Sequence, residues 1–268
     1  MDMESRRDEC GVYESFRTFG FALLRQFFDP GPLAMEVDRV LSDGLIRRPP
    51  LTGDIRFQYV PMMTAETPAS LSLLDRLGAV AEMLFETPVL PTRAKGTRYF
   101  GETPWHVDSA LPVESLGCLA YLEAMGPDTG ALRVMPGSHR STLDEALREV
   151  RAAGARDPSL PGHVIATDPG DIILMNEHVL HAAFGGRVRR QWRVDYLRVP
   201  VGVEEIILAK SYFASLYDPE WDGGYDVDRY PSYGTDWRRS SRAAVTQLEA
   251  LGVYEAASAH EAFIRSRL

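Results

Sequence analysis

The stretch Gly101-Glu102-Thr103-Pro104-Trp105-His106-Val107-Asp108-Ser109 decides how this chain is interpreted. In an extended strand, residues i and i+2 point to the same face, so His106 and Asp108 can converge on one metal ion while Val107 packs the other way. A second histidine, His181, follows 73 residues after the aspartate and must come from a distant strand. Two imidazoles and one carboxylate form a facial triad, which binds iron(II) and leaves its other positions open. The motif therefore makes His106, Asp108 and His181 candidate metal ligands.

This histidine and aspartate spacing is weak evidence alone, because a chain with six histidines produces such patterns by accident. A half-buried histidine that is satisfied by a backbone carbonyl is the alternative for His106. Two further segments favour the metal site. Residues 130–140 contain Pro-Gly-Ser-His, and residues 168–171 (Asp-Pro-Gly-Asp) precede the apolar run Ile-Ile-Leu-Met.

In this order, these segments closely resemble the phytanoyl-CoA dioxygenase family of Fe(II)- and 2-oxoglutarate-dependent oxygenases. That family shows a PWHxD-type metal strand, a GxLxVxPGSH segment, and a PGD-hydrophobic strand that leads to the second metal histidine. The similarity covers residues 15–200. It implies an iron(II) cofactor, 2-oxoglutarate and O2 as co-substrates, and His106, Asp108 and His181 as the catalytic metal ligands.

The resemblance also selects among the histidines. It favours His181 over His178, because the family's second histidine is followed by small residues, as in His181-Ala182-Ala183. His178 falls on the opposite face of a strand and is expected to hydrogen-bond to the backbone. For His139, in Pro-Gly-Ser-His, the resemblance implies a structural role beside the site.

An arginine that binds the far carboxylate of 2-oxoglutarate is implied about nine to twelve residues after the second metal histidine. A planar guanidinium suits this role because it pairs bidentately with a carboxylate. Arg189, Arg190 and Arg193 lie near this window. Arg190 shares its alternation phase with an apolar row that we interpret as facing inward, Trp192, Val194 and Tyr196. We therefore predict Arg190 as the cofactor-binding arginine, with Arg193 as the alternative.

Asp108 also separates reaction classes. Related iron halogenases lack this carboxylate, which leaves room for chloride on the metal. The resemblance therefore implies a dioxygenase that hydroxylates a small-molecule metabolite, with a bacterial natural-product intermediate as the expected substrate. The alternatives are desaturation, cyclisation or epimerisation with the same cofactors, and a non-catalytic barrel that binds small molecules.

Polar residues near the metal motif could contribute to the substrate pocket. Lys95 and Tyr99 precede the metal strand and could face the pocket. Arg98 and Arg133 could meet an anionic or carboxylated substrate. Because arginine is the common cation of this chain, a surface position is the alternative for most of its arginines.

The bulk properties are typical of a globular enzyme: 268 residues, 45% hydrophobic and 25% charged. The net charge of −9 argues against nucleic-acid binding, which requires a basic surface. No apolar run approaches the roughly 18 residues of a membrane span, and the first residues lack the apolar core of a signal peptide. Cys10 and Cys118 make no disulfide or metal framework. We expect a cytoplasmic enzyme with a small-molecule substrate, and its oligomeric state is left open.

The chain is expected to form a single domain, residues 1–268, that is mainly β with flanking helices. Short strands separated by Gly, Pro and Asp turns predict a double-stranded β-helix core (jelly-roll or cupin-like) over residues 88–200. Helices are predicted within residues 30–86, and a helical, aromatic-rich extension over residues 201–268. Residues 213–237 of this extension could either cover the pocket as a lid or pack the C-terminal helix on the barrel.

Local patterns give the expected element boundaries. Residues 19–24 are predicted as a strand, and a helix is predicted from Pro32 to Gly44. Thr67-Pro68 is a typical helix start, with threonine as cap and proline at the first helical position. Residues 46–66 are predicted as a loop near the substrate, and residues 141–154 as a helix with a capping box.

Overall fold

The structure is a computed structural model that describes residues 3–46, 57–140, 147–148, 156–186, 188–217 and 224–267. The helices in these residues are α1 (Met3–Phe19), α2 (Pro30–Asp43), α3 (Pro68–Phe85), α4 (Gly202–Ser215), α5 (Thr235–Arg238), α6 (Ala243–Ala250) and α7 (Val253–Arg267). None of the helices in the described ranges is both long enough and apolar enough to cross a membrane.

The strands fall mainly between α3 and α4. They are β1 (Phe21–Leu24), β2 (Phe57–Pro61), β3 (Val89–Pro91), β4 (Lys95–Phe100), β5 (Thr103–His106), β6 (Ser115–Tyr121), β7 (Leu132–Val134), β8 (His163–Ile165), β9 (Ile172–Asn176), β10 (His181–Ala183) and β11 (Val188–Arg198).

The strands form two antiparallel sheets. The larger has the order β1-β9-β6-β11-β4-β2, with β3 also paired to β11, and the smaller has the order β5-β10-β7-β8. Consecutive strands repeatedly alternate between the sheets, as in a double-stranded β-helix. The predicted fold class is confirmed, and the inner faces of the two sheets enclose the space in which the metal motif lies.

Helices α2 and α3 cover the outer face of the larger sheet. The predicted apolar face of α2 is buried and consists of Leu33, Val37, Val40 and Leu41. Gly96 on β4 permits this close packing, because a Cβ atom there would lie 2.9 Å from Sδ of Met62 and 3.3 Å from Cγ2 of Val40. The outer face of β11 packs on α3, where Nε1 of Trp192 donates to Oγ of Ser70 at 2.7 Å.

Two predicted boundaries need correction. Helix α2 starts at Pro30, not at Pro32, because the Asp29 side chain caps it by accepting from the Gly31 N–H at 3.0 Å. The segment 46–66, predicted as a loop, contains the edge strand β2, which pairs with β4. Its alternation is obscured because almost every residue of β2 is buried. The helix predicted at 141–154 lies outside the described residues, apart from 147–148.

The C-terminal extension packs against the main core. Tyr225, Tyr230, Tyr233 and Trp237 are each no more than 5% exposed and belong to the core formed with α2 and α3. The part of residues 213–237 that the structure describes therefore packs on the barrel, while Trp221 lies outside it. Helix α1, which the sequence patterns did not predict, packs against β1 and β9.

Candidate metal centre and co-substrate pocket

The smaller sheet brings the two halves of the metal motif together. His106 ends β5, His181 begins β10, and the two residues are direct partners in the antiparallel register. Asp108 follows β5, and its backbone N–H donates to the Glu177 carbonyl at 2.9 Å. The ligand atoms of His106, Asp108 and His181 all lie within 4.8 Å of one another. Val107 instead packs with an apolar cluster, as the alternation predicts.

Both histidines direct the Nε2 atom of the ring toward the position where a metal ion would bind. Nε2 of His106 and Nε2 of His181 lie 3.4 Å and 3.5 Å from Oδ1 of Asp108. Their Nδ1 atoms lie 2.8 Å from the Pro104 carbonyl and 2.9 Å from the Val179 carbonyl. A carbonyl can only accept, so Nδ1 carries the proton in both rings and Nε2 keeps its lone pair. Such carbonyl partners also fix ring orientation in metal sites. The three residues therefore fit an iron(II) ion.

The electrostatic environment keeps two of the ligands, Asp108 and His181, in metal-binding protonation states. Burial opposes ionisation of Asp108, but Arg193 and His181 outweigh it and hold the carboxyl pKa well below its usual value. Nη2 of Arg193 lies 2.8 Å from Oδ2 of Asp108, on the side away from the histidines. Burial lowers the pKa of His181, which favours the neutral imidazole that binds a metal.

Arg193 is held by further carboxylates. Its Nε lies 2.6 Å from Oδ1 of Asp195, and its Nη2 lies 3.0 Å from Oε1 of Glu177. The Tyr212 hydroxyl, from α4, donates to Oε2 of Glu177 at 2.7 Å. Burial raises the pKa of Glu177 to about 7. Arg193 therefore lies in the site, but its guanidinium is already paired with three carboxylates, including that of Asp108.

Arg189 faces the same pocket with a different set of partners. It is 3% exposed, and its guanidinium donates to the Gly101 carbonyl at 2.6 Å and to Oγ1 of Thr103 at 3.1 Å. Its Nε has no hydrogen-bond partner, and within the described ranges no carboxylate lies within ion-pair distance. The pocket lining joins Arg189 to the metal ligands and to Arg193, Tyr99, Thr103, Leu119, Tyr121, Leu132 and Gln191.

Arg190 lies on the opposite face of β11, which corrects the prediction that it binds the co-substrate. Its Nη1 lies 2.5 Å from Oδ1 of Asp38, and its Nε lies 2.6 Å from Oε1 of Glu123. The apolar row that shares its phase, Trp192, Val194 and Tyr196, is buried against the helices and not in the pocket. Because β11 is covered on both faces, an apolar row on this strand does not identify the side that faces the pocket.

The other two candidate histidines, His178 and His139, are not part of the metal cluster. Nε2 of His178 lies 2.7 Å from the Leu111 carbonyl, so it makes the expected backbone hydrogen bond, although from the turn between β9 and β10. In the Pro-Gly-Ser-His segment, the buried Oγ of Ser138 accepts from the Leu180 N–H at 2.8 Å. This bond fixes the chain just before His181, consistent with a structural role for the segment.

Some functional residues were not chosen from the sequence. Glu177 and Tyr212 were missed because their partners are distant in the chain. Arg189 was weighed but not preferred, although every second residue from 189 to 195 is polar, which marks a face that is not ordinary core. Of the residues expected near the pocket, Tyr99 lines it. Arg133 instead donates to the Pro158 carbonyl.

The family comparison agrees with the motifs. The sequence model described as phytanoyl-CoA dioxygenase matches residues 79–191, which contain the triad, Arg189 and most of both sheets. This part of the chain is similar to the phytanoyl-CoA dioxygenase family. The match confirms the predicted enzyme class, a non-haem iron oxygenase that uses 2-oxoglutarate. No curated protein sequence matches the chain.

Several solved structures share the fold of this chain. AviO1 from Streptomyces viridochromogenes Tue57 is 21% identical with a TM-score of 0.57, covering 73% of this chain and 97% of AviO1. SnoN, a non-haem α-ketoglutarate-dependent epimerase from nogalamycin biosynthesis, is 19% identical with a TM-score of 0.57, covering 73% and 82%. HygX from Streptomyces hygroscopicus, with nickel and 2-oxoglutarate bound, is 19% identical with a TM-score of 0.55, covering 72% and 87%.

Proposed function

We propose that this chain hydroxylates a small-molecule metabolite, with a natural-product intermediate as substrate and His106, Asp108 and His181 as the iron ligands. The observation that carries the proposal is the triad itself. Two Nε2 lone pairs and one carboxylate oxygen converge in a pocket between the sheets. When bound there, iron(II) would supply O2 activation, with 2-oxoglutarate as the reducing co-substrate.

Arg193 orients the metal carboxylate. Because Oδ2 of Asp108 is paired with Arg193, Oδ1 is the oxygen that faces both histidines. Ligation through one oxygen leaves positions open for a chelating co-substrate and for O2. The arrangement therefore favours an oxygenase site over a closed structural metal site.

Arg189 is the residue that we assign to the far carboxylate of 2-oxoglutarate. A buried guanidinium is costly to leave without a counter-charge, and the described residues place no carboxylate beside it. A carboxylate in the pocket would supply that charge, and the guanidinium fork suits two parallel hydrogen bonds. The Thr103 hydroxyl, which already accepts from Arg189, lies beside the same position.

The structural neighbours support a small-molecule substrate. HygX has been crystallised with hygromycin B, and SnoN with nogalamycin RO. These neighbours share the fold with this chain, and one of them is an epimerase. Fold similarity at this identity does not separate hydroxylation from other oxidative outcomes, so the reaction type requires its own test.

The test is succinate formation from 2-oxoglutarate by iron-loaded protein, with a panel of small metabolites and mass analysis of the products. Hydroxylation predicts succinate together with a product heavier by one oxygen atom. Loss of two hydrogens would instead indicate desaturation or cyclisation, and an unchanged mass epimerisation. Asp108→Ala is the matched inactive control. If folded, iron-loaded protein never converts 2-oxoglutarate, the chain is a non-catalytic barrel.

A further inference from the structure

Lys95 lies on the inner face of the larger sheet, beside the metal centre. It is the direct cross-strand partner of Arg193 in the β4–β11 register, and such partners share a face of the sheet. Arg193 in turn contacts the metal carboxylate of Asp108 at 2.8 Å. The next residue, Gly96, faces the outer helices, which fixes the alternation and directs Lys95 inward.

The Lys95 ammonium lacks a contacting counter-ion among the residues that the structure describes. No described residue places a carboxylate within ion-pair distance of it, and its Nζ lies 5.6 Å from the Tyr59 ring centroid. The side chain is only partly accessible. Burial lowers the pKa of Lys95 to about 8, although the charge of Asp195 acts in the opposite direction. These properties are typical of an amine in a recess, open to a ligand but poorly hydrated.

A second cation, Arg93, lies two residues before Lys95 and contacts the same tyrosine. It is 5% exposed, and its Nη2 donates to the Tyr59 hydroxyl at 2.6 Å and to the Leu216 carbonyl at 2.8 Å. Its Nε and Nη1 atoms have no hydrogen-bond partner. Arg93 also depresses the Lys95 pKa through charge repulsion. Two neighbouring cations with no acidic partner in the described part of the chain destabilise the folded protein unless an anion neutralises them.

Aromatic rings flank this pair of cations. Phe57 and Tyr59, on β2, pair across the strands with Tyr99 and Thr97 on β4, two residues that also face inward. The Phe57 ring lies 5.6 Å from the Tyr99 ring and 6.3 Å from the Tyr59 ring, measured between centroids. Because Tyr99 also lines the metal pocket, this aromatic row leads from Lys95 to the triad.

We propose that Lys95, backed by Arg93, binds an anionic group of the oxidised substrate, a carboxylate or a phosphate ester. The apolar or ring-shaped body of that substrate packs on Phe57, Tyr59 and Tyr99 and extends toward the metal. This inference rests on the proposed function and names its substrate class. An ammonium binds as a point charge, so the site accepts either kind of anion.

Competitive acetylation of the wild-type protein tests this proposal. The chain has two lysines, Lys95 and the exposed Lys210 of α4, which serves as an internal control. Protein loaded with Ni(II) and 2-oxoglutarate is treated with trace deuterated acetic anhydride near the Lys95 pKa, and each site is quantified by mass spectrometry. The probes are benzoate, phenyl phosphate and the neutral analogue benzamide.

We expect at least one of the two anions to slow acetylation of Lys95 and leave that of Lys210 unchanged. The protection should be about tenfold at ten times the dissociation constant of the anion. Benzoate and phenyl phosphate distinguish a carboxylate substrate from a phosphate ester. Benzamide should not protect Lys95, since it offers a ring without a charge.

Three results would overturn the anion site: no protection by either anion, equal protection by benzamide, or full protection by 2-oxoglutarate alone. The last would assign Lys95 to the co-substrate. A parallel anaerobic sample with Fe(II) reports the proposed function separately, through the visible charge-transfer band of the iron–2-oxoglutarate complex. Protection of Lys95 without that band would support the anion site and reject the oxygenase proposal.

Discussion

Both faces of strand β11 carry arginines, but the arginines of the two faces have different partners. On the outer face, Arg190 makes solvent-accessible ion pairs with Asp38 and Glu123, while its apolar neighbours pack under α2 and α3. On the inner face, Arg189 and Arg193 are buried beside the metal ligands. Exposed ion pairs contribute little to stability, whereas buried charges must be matched by a partner or a ligand. The partner of each buried arginine therefore indicates its function.

The inner arginines differ from each other in the same respect. Arg193 is matched by three carboxylates of the chain itself, so we expect it to hold the metal ligand Asp108 in place. Arg189 has backbone and hydroxyl partners but no acid among the described residues, so we expect it to bind an acid from solution.

The largest effect is expected at the metal ligands. Asp108→Ala or His181→Ala should lower Ni(II) or Fe(II) affinity by more than about 100-fold, because loss of a supporting residue alone costs about 10–100-fold. Isothermal titration calorimetry with Ni(II) measures this directly. His178→Ala is the control and should bind metal normally, since the His178 ring is bonded to the Leu111 carbonyl and lies outside the triad. If His178→Ala alone loses the metal, the ligand assignment is wrong.

The second-largest effect is expected in the affinity for 2-oxoglutarate. Arg189→Met should weaken its binding to the metal-loaded protein by about 100-fold, because loss of one partner of a buried charge pair costs roughly 2–5 kcal/mol. Arg190→Met, on the other face of the same strand, should change that affinity by less than about twofold. The affinity is measured by co-substrate titration at saturating Ni(II). Weaker binding in Arg190→Met and normal binding in Arg189→Met would show that Arg190 binds the far carboxylate of 2-oxoglutarate.

A smaller effect is expected at Arg193. Arg193→Gln should reduce metal affinity by about 10–100-fold, and Arg193→Lys should recover part of it because lysine keeps the charge but lacks the planar fork. Since the substitution leaves three carboxylates without their cation, thermal melting must show that the variant is folded. The double variant Arg193→Gln/Glu177→Gln removes one of those charges. Wild-type metal affinity in a folded Arg193→Gln variant would contradict a positioning role.

The smallest effect is expected for a substitution of Ser138, and it should appear in the free energy of unfolding. Ser138→Ala removes the acceptor for the buried Leu180 N–H, which should lower the free energy of unfolding by about 1–3 kcal/mol. Urea denaturation measures the change. Ser211→Ala on the exposed side of α4 should cost less, because the Ser211 hydroxyl only supplements a helix carbonyl. Equal losses in the two variants would show that the Pro-Gly-Ser-His segment has no special structural role.

The fold class and the orientation of the metal strand could be predicted because both depend on local signals, whereas the choice of His181 as the third ligand came from the resemblance to phytanoyl-CoA dioxygenases. Turn residues separate the strands, and period-two alternation directs His106 and Asp108 to one face. The helical stripe of α2 was equally visible, since its four buried residues repeat at helical spacing. Strand β2 was not predicted, because an edge strand buried on both faces lacks the polar alternation that distinguishes it from a loop.

The arginine assignment shows where local patterns stop being informative. Hydrophobic phase separates a buried face from a solvated one, but both faces of β11 are buried, one by helices and one by the pocket. The more useful signal was the polar row at positions 189–195 within a buried strand. The pairing of Glu177 with Arg193 and with Tyr212 depends on contacts across the fold, and no spacing in the sequence encodes them.

The most direct test of the central claim is an anaerobic titration of the folded protein with Fe(II) and 2-oxoglutarate, monitored by visible absorption. The account predicts a weak metal-to-ligand charge-transfer band that saturates with 2-oxoglutarate, persists in Arg190→Met and requires a much higher co-substrate concentration in Arg189→Met. Absence of the band in folded, iron-loaded wild-type protein would contradict the proposal that this pocket holds iron and 2-oxoglutarate together.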